Sequence, residues 1–182
     1  MAPASPTYEI TNQSAQDVSD TTEEQAPTEL QSWRDTLLAE LRKMEANAFE
    51  RLAQRVLREA GFIKVEVTGR SGDGGIDGIG VLRLNLLSFH VLFQCKRYSG
   101  SVAAREIRDF RGAMVGRSDK GLFITTGTFT ADAKREATRD GAPAIELTDG
   151  DLLCDLLRQL RLGVKIEMVV RVPVDADWIA KV

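Results

Sequence analysis

The amino-acid sequence predicts an α/β sandwich in which helices flank a mixed central β-sheet. Two strand-like segments, at 75–84 and 88–98, are joined by a turn near residues 85–88 and indicate an antiparallel hairpin. Beyond them, short apolar strands alternate with amphipathic helices, which is typical of parallel strands joined by crossover helices. The chain has 182 residues, of which 43% are apolar and 28% charged. That is ordinary globular usage, at a length sufficient to bury a core.

The predicted elements follow in the order helix, three strands, then alternating helices and strands. Residues 30–44 and 46–62 place apolar side chains at helical spacing, and Gly61 is a stop signal for the second segment. Residues 64–69 alternate between apolar and polar, as a half-buried strand does. After the hairpin we predict a helix at 101–116, a strand at 121–127, a helix at 130–141, a strand at 144–150, a helix at 151–161 and a last strand at 164–172.

Residues 1–28 are predicted to form a disordered acidic tail, because they are rich in Ser, Thr, Pro and acids and contain few large apolar residues. We assign residues 29–165 to a folded domain and residues 166–182 to a C-terminal extension. Residues 1–30 hold six acids and no Lys or Arg, whereas the whole chain has 24 basic and 27 acidic residues. The rest of the chain is therefore mildly basic, which favours a polyanionic partner.

Several classes of protein do not fit the sequence. It has no run of 18 apolar residues, and its N-terminus lacks the basic and apolar regions of a signal peptide. Cys95 and Cys154 lie in apolar patterns, so we expect reduced thiols and a cytoplasmic location. His90 is the sole histidine, which argues against a zinc site and against a Ser-His-Asp hydrolase. The glycine-rich segment at 72–80 precedes a strand and not a helix, unlike a dinucleotide-binding loop.

Polar residues interrupt the apolar pattern of the second hairpin strand. Because strand side chains alternate, Gln94 and Lys96 share one face, while Cys95 points to the other. A symmetric turn near residues 86–87 would place Asp77 opposite Lys96 on the neighbouring strand. The Cβ atoms of such a pair lie roughly 5 Å apart. The sequence therefore predicts that an acid and a lysine meet across the hairpin.

These side chains suit phosphodiester hydrolysis assisted by a divalent cation. Glu50 borders the apolar stripe of the second helix, so its carboxylate can point at the sheet. Mg²⁺ takes one or two carboxylates and several waters, which fits Asp77 and Glu50 together with the backbone carbonyl of Cys95. Gln94 would orient water or a ligand, and Lys96 would neutralise the phosphate. Taken singly, Asp77 also fits an ordinary turn and Lys96 an ordinary strand end.

Four segments of the sequence together resemble the Mrr-type restriction endonuclease catalytic domain, a member of the PD-(D/E)xK nuclease superfamily. They occur in the family's order within residues 33–160, and they read AFERLAQRVLREAGF, VEVTGRSGDGGIDGIG, VLFQCKRYSGSVAAREIRDFRGAM and GLFITTGTFTADAKREA. The resemblance implies a restriction-endonuclease-like fold over residues 29–165. It also implies a metal-dependent DNA endonuclease that acts in the restriction of foreign or modified DNA.

The pattern of this family transfers to single positions of the chain. It makes Asp77 the metal-binding aspartate, Gln94 and Lys96 the (D/E/Q)xK pair, and Glu50 the helical glutamate. Gln94 replaces the acid of the general motif and matches the QxK form of Mrr-like members, so the site has one anionic ligand fewer. The cofactor that the resemblance implies is Mg²⁺, with Mn²⁺ as a substitute.

DNA is the expected partner of the domain. Arg97, Tyr98 and Arg105 follow the strand that carries Lys96, where they either contact phosphates or form a solvated surface. Mrr-type proteins commonly carry a winged-helix domain before the nuclease, and only about 30 polar residues precede it here. We therefore expect a separate target-recognition partner, and a homodimer if both strands are cut. The alternative function is a non-catalytic DNA-binding or regulatory module on the same fold.

Overall fold

The computed structural model describes residues 25–67, 75–118, 120–168, 170 and 172–182, with side chains from Trp33 onward in the first helix. Residues 1–24 of the predicted acidic tail lie outside the described residues. The helices are α1 (Gln25–Lys43), α2 (Ala46–Glu59), α3 (Ala104–Met114), α4 (Ala131–Ala137), α5 (Gly150–Gln159) and α6 (Ala176–Ile179). The strands are β1 (Phe62–Val67), β2 (Gly78–Leu84), β3 (Leu87–Lys96), β4 (Ser101–Val102), β5 (Lys120–Thr125), β6 (Thr128–Phe129) and β7 (Ala144–Thr148).

Five strands form one mixed sheet in the order β1-β2-β3-β5-β7. β2 pairs antiparallel with both β1 and β3, whereas β3, β5 and β7 run parallel to one another. β3 is the central strand, where the antiparallel and the parallel halves meet. β4 and β6 form a separate two-stranded parallel ladder just after β3 and β5 in the chain. The mixed sheet predicted from the sequence is confirmed.

Helices cover both faces of the sheet, because the side chains of β3 and β5 alternate between two apolar layers. Leu92 and Phe123 point into the layer under α3 and α4. There the rings of Phe110 and Phe123 pack edge to face, with their centroids 5.8 Å apart. The next residues along the two strands, Phe93 and Ile124, pack in the opposite layer with side chains of α1, α2 and α5. The predicted sandwich is therefore confirmed.

Local capping sets where two of the helices begin. Thr130 caps α4, and its Oγ1 accepts a hydrogen bond from the N–H of Ala133 at 3.1 Å. Asp149 caps α5 by accepting from the N–H of Leu152 at 3.0 Å. The short elements β4, β6 and α6 were not predicted, because segments of two to four residues leave no periodic pattern. No helix within the described ranges is long and apolar enough to cross a lipid bilayer.

The β2–β3 hairpin closes earlier than the sequence predicted. Leu84 pairs with Leu87, so a two-residue turn joins the strands. Its first residue, Asn85, has a φ of 53°, in the left-handed region that asparagine tolerates better than most residues. The predicted turn centre was wrong for this reason. Asp77 consequently does not lie directly opposite Lys96.

The predicted last strand at 164–172 is absent among the residues described there, which are 164–168, 170 and 172. The side chains of Ile166, Met168, Val170 and Val172 are exposed instead of packed in a core, and Met168 is 94% exposed. The alternating pattern favours an extended chain, but a strand also needs a hydrogen-bonding neighbour. Local sequence does not specify that neighbour, which explains the wrong prediction.

We predict opposite effects of alanine at two glycines. At Gly78 an added Cβ would overlap the carbonyl oxygen of Glu66 and the ring of Phe93, so Gly78→Ala should lower the free energy of unfolding by about 1–3 kcal/mol. At Gly112, inside α3, an added Cβ meets nothing within 4 Å, so Gly112→Ala should raise it by about 0.5–1 kcal/mol. Urea unfolding followed by circular dichroism measures both. If both variants changed the free energy of unfolding equally, Gly78 would not lie in close contact with Glu66 and Phe93.

Candidate active site

A cleft of about 280 Å³ opens at the carboxyl end of β3. The first turns of α2 form one wall, and the end of β3 with the loop after it forms the other. Its lining residues are Ala46, Phe49, Glu50, Cys95, Lys96, Arg97 and Tyr98. Phe49 is buried against the sheet and holds α2 in place. The structure thus brings Glu50 and Lys96, which are 46 positions apart in the chain, to one cleft.

Asp77 lies immediately before the first residue of β2 and reaches across to β3. Its backbone N–H donates to the carbonyl oxygen of Phe93 at 3.0 Å. Its Oδ2 accepts a hydrogen bond from the backbone N–H of Cys95 at 2.5 Å. This charge-assisted contact fixes the carboxylate beside the backbone between Gln94 and Lys96.

The thiol of Cys95 shows where the negative charges of the site meet. Burial raises the pKa of this thiol well above its ordinary value, and the carboxylates of Asp77 and Glu50 raise it further. Both carboxylates therefore act on one point at the end of β3. Side-chain electrostatics of this kind mark a place where a cation would be stabilised.

Gln94 and Lys96 have different surroundings at the end of β3. Gln94 is only 7% exposed, and its amide fills the space where a side chain at Gly75 would otherwise lie. Gly75 has a φ of 83°, so it suits this close approach for a second reason. The ammonium of Lys96 lies 5.8 Å from the centre of the Tyr98 ring, within the range of a cation–π contact.

The three residues predicted to contact DNA are placed differently from one another. Arg97 and Tyr98 line the cleft, whereas Arg105 is on α3, outside the lining, with a side chain 85% exposed and an ion pair to Asp109 at 3.7 Å. Arg97 donates to the backbone carbonyl of Arg42 at 3.1 Å. Sequence reasoning missed Arg42, because a basic residue in the last turn of a helix is common for general electrostatic reasons.

The donor set can be tested against a divalent cation. Within the part of the chain that the structure describes, no three His, Cys, Asp or Glu side chains are grouped to hold a metal ion. Mg²⁺ does not need such a group, because it takes one or two carboxylates and keeps several waters. Asp77, which accepts from the Cys95 N–H, and Glu50, which lines the cleft with Cys95, supply two carboxylates, and the backbone carbonyl of Cys95 is a further oxygen donor. These residues fit the ion.

Comparison with known proteins places the chain in a family. The family model of the Mrr catalytic domain, described as a restriction endonuclease, matches residues 41–157, which is more than half of the chain. The chain belongs to this Mrr-type restriction endonuclease family. The matched range runs from the last turn of α1 into α5, and so contains the whole cleft.

Individual Mrr-type and modification-dependent enzymes are similar over most of the chain. The type IV methyl-directed restriction enzyme EcoKMrr of Escherichia coli (strain K12) is 33% identical over 153 residues, which cover 79% of this chain and 48% of that protein. The chain therefore spans about half the length of this Mrr-type relative. Among solved structures, the DNA modification-dependent restriction endonuclease AspBHI matches with a TM-score of 0.59 at 25% identity, over 85% of this chain and 40% of that one.

A second solved structure supports the fold alone. The MspJI restriction endonuclease, in complex with a 27-mer oligonucleotide, matches with a TM-score of 0.52 at 24% identity, over 86% of this chain and 36% of that one. With AspBHI it confirms the restriction-endonuclease-like fold that the sequence predicted.

We predict that the Asp77 and Glu50 carboxylates can be detected through Cys95. A negative charge disfavours the thiolate, so Asp77→Asn and Glu50→Gln should each lower the pKa of the Cys95 thiol, with the larger fall for Asp77→Asn. The rate of alkylation of Cys95, followed against pH by peptide mass spectrometry, measures this. Glu59→Gln, at the far end of α2, is the control and should leave the profile in place. If the alkylation profile is unchanged in both site variants, the two carboxylates do not influence the Cys95 thiol.

Proposed function

We propose that the chain is the catalytic part of a metal-dependent DNA endonuclease that hydrolyses phosphodiester bonds. The observation that carries this proposal is the junction at the end of β3. There, the Asp77 carboxylate accepts a hydrogen bond from the N–H of Cys95, and Glu50 and Lys96 line the same cleft as Cys95. Family membership supports the same chemistry. Packing of a hydrophobic core does not require charged side chains to be grouped in this way, whereas hydrolysis at an anionic phosphate does.

Each side chain has a definable task in that reaction. Asp77 and Glu50 would hold the divalent cation, together with the backbone carbonyl of Cys95. Lys96 would donate to the phosphate oxygens, where negative charge grows as water attacks phosphorus and the bond to the leaving sugar oxygen breaks. Gln94, whose amide lies against Gly75, would orient water or a ligand. The cation, Mg²⁺ or Mn²⁺, supplies Lewis acidity toward the phosphate and a lowered pKa for bound water.

We infer the substrate class from the relatives. EcoKMrr is described as methyl-directed and AspBHI as DNA modification-dependent, so we propose that this chain takes part in restriction of modified DNA. We further propose that residues 29–165 form the nuclease domain, that a separate partner supplies target recognition, and that two copies associate when both DNA strands are cut. A cytoplasmic location suits an enzyme that meets incoming DNA.

We expect Mg²⁺-dependent cleavage of plasmid DNA that depends on two side chains. Asp77→Asn and Lys96→Ala should each lower the cleavage rate by about a hundredfold or more. The first removes the negative charge that would bind the cation, and the second removes the positive charge that would face the phosphate. Lys120→Ala, an exposed lysine at the start of β5, is the control and should cut like the parent. Methylated and unmethylated plasmids are compared by gel electrophoresis. If neither is cut with Mg²⁺ or Mn²⁺, the enzyme proposal is wrong.

Calorimetry separates the enzyme from a non-catalytic DNA-binding module. Titration of Mg²⁺ into the parent protein should give binding heat that is lost in Asp77→Asn and kept in Lys120→Ala. Salt-dependent DNA binding without any Mg²⁺ binding or cleavage would instead support the non-catalytic module.

A further inference from the structure

We propose that Arg42, Tyr98 and Thr126 form a positioning network that holds Glu50 and Lys96 together in the cleft. The inference rests on the proposed endonuclease function. It concerns how Arg42 and Thr126, through the backbone of Tyr98, support the site without touching the reacting phosphate.

The network is a closed set of hydrogen bonds. The Thr126 hydroxyl donates to the carbonyl oxygen of Tyr98 at 2.9 Å and accepts from the Tyr98 N–H at 3.0 Å. The Arg42 guanidinium donates through Nη2 to the carbonyl oxygen of Thr126 at 2.7 Å and through Nε to that of Tyr98 at 3.2 Å. Arg42 therefore links the segment just after β3 to the segment just after β5. The planar fork of a guanidinium suits such a double contact, which an ammonium cannot reproduce.

Lys96 is connected to this network from two directions. The backbone N–H of Thr126 donates to the carbonyl oxygen of Lys96 at 3.3 Å. The ammonium of Lys96 also lies beside the ring of Tyr98, whose backbone is held by both partners of the network. The position of the ammonium thus depends on Tyr98, and Tyr98 depends on Arg42 and Thr126.

Glu50 is connected through the corner between α1 and α2. Arg42 lies in the last turn of α1, and α2 begins at Ala46, one turn before Glu50. In addition, Arg97, which follows β3, donates a hydrogen bond to the carbonyl oxygen of Arg42 at 3.1 Å. The corner is therefore attached to the strand end in both directions. This attachment sets the distance between the carboxylate on α2 and the lysine on β3.

Burial distinguishes this role from contact with DNA. Thr126 is fully buried, with an exposed fraction of 0%, so its side chain has no access to a bound phosphate. A buried hydroxyl that both donates and accepts rigidifies the groups around it. Any effect of Thr126 on catalysis must therefore pass through the residues it positions.

The first experiment uses the buried threonine. Thr126→Val removes the hydroxyl at nearly constant volume, and kcat for plasmid cleavage should fall about tenfold with DNA affinity unchanged, because small misplacements of reacting groups are costly. Thr126→Ser restores the hydroxyl and should restore kcat. Thr148→Val, a buried threonine of β7 outside the network, is the matched control. If the two valine variants have the same kcat, the positioning role is overturned.

The second experiment separates the fork of Arg42 from its charge. Arg42→Met should lower kcat, and Arg42→Lys should not restore it, since the ammonium lacks the fork. The logarithm of DNA affinity against the logarithm of salt concentration should keep its slope in both variants. A phosphate-contacting arginine would instead change that slope by about one unit in Arg42→Met, with recovery in Arg42→Lys. That result would overturn the proposal.

A third measurement needs no nuclease activity. Cys95 lies in the cleft wall between α2 and β3, and Cys154 lies in the α1–α5 layer as an internal reference. At fixed pH, Thr126→Val should speed alkylation of Cys95 by about tenfold relative to Cys154, as expected from lost hydrogen bonds. Unchanged labelling in the valine variant overturns the network even if the parent cuts DNA. Faster labelling in a protein that cuts no DNA supports the network and rejects the proposed function.

Discussion

Side chains along β3 alternate between two filled layers, and the rest of the molecule depends on that alternation. Leu92 enters the layer under α3 and α4, while Phe93 enters the opposite layer, where it packs with Leu57 of α2. A slip of one residue would exchange these faces, so the strand has a single register. The same register carries Cys95 to the α2 side and leaves Lys96 at the mouth of the cleft. Core packing and site geometry are thus set by one constraint.

Much of this arrangement is readable from the sequence, because it follows from local periodicity. The alternation around Gln94 and Lys96 needs only the two-residue repeat of a strand. The placement of Glu50 beside the apolar stripe of α2 needs only the helical repeat. The mixed sheet follows from a hairpin succeeded by alternating helices and strands. These are properties that neighbouring residues share, so one sequence suffices to show them.

What the sequence did not reveal depends on contacts between distant segments. The hairpin register was missed because a left-handed Asn85 tightens the turn, and asparagine signals this only weakly. Arg42 was missed because it binds backbone carbonyls 56 and 84 positions away, and a carbonyl has no side-chain signature. The strand at 164–172 was wrongly predicted because an alternating pattern does not show whether a sheet edge is available to pair with the segment.

The loops after β3 and β5 are packed directly against each other. A side chain at Gly127 would overlap the carbonyl oxygen of Gly100, and the N–H of Thr128 donates to that same oxygen at 3.1 Å. The N–H of Gly150 in turn donates to the carbonyl oxygen of Gly127 at 2.8 Å, which joins α5 to the pair. Protein engineers who graft loops between enzymes of this fold should therefore transplant both segments together, since either loop alone would meet a neighbour whose shape does not match it.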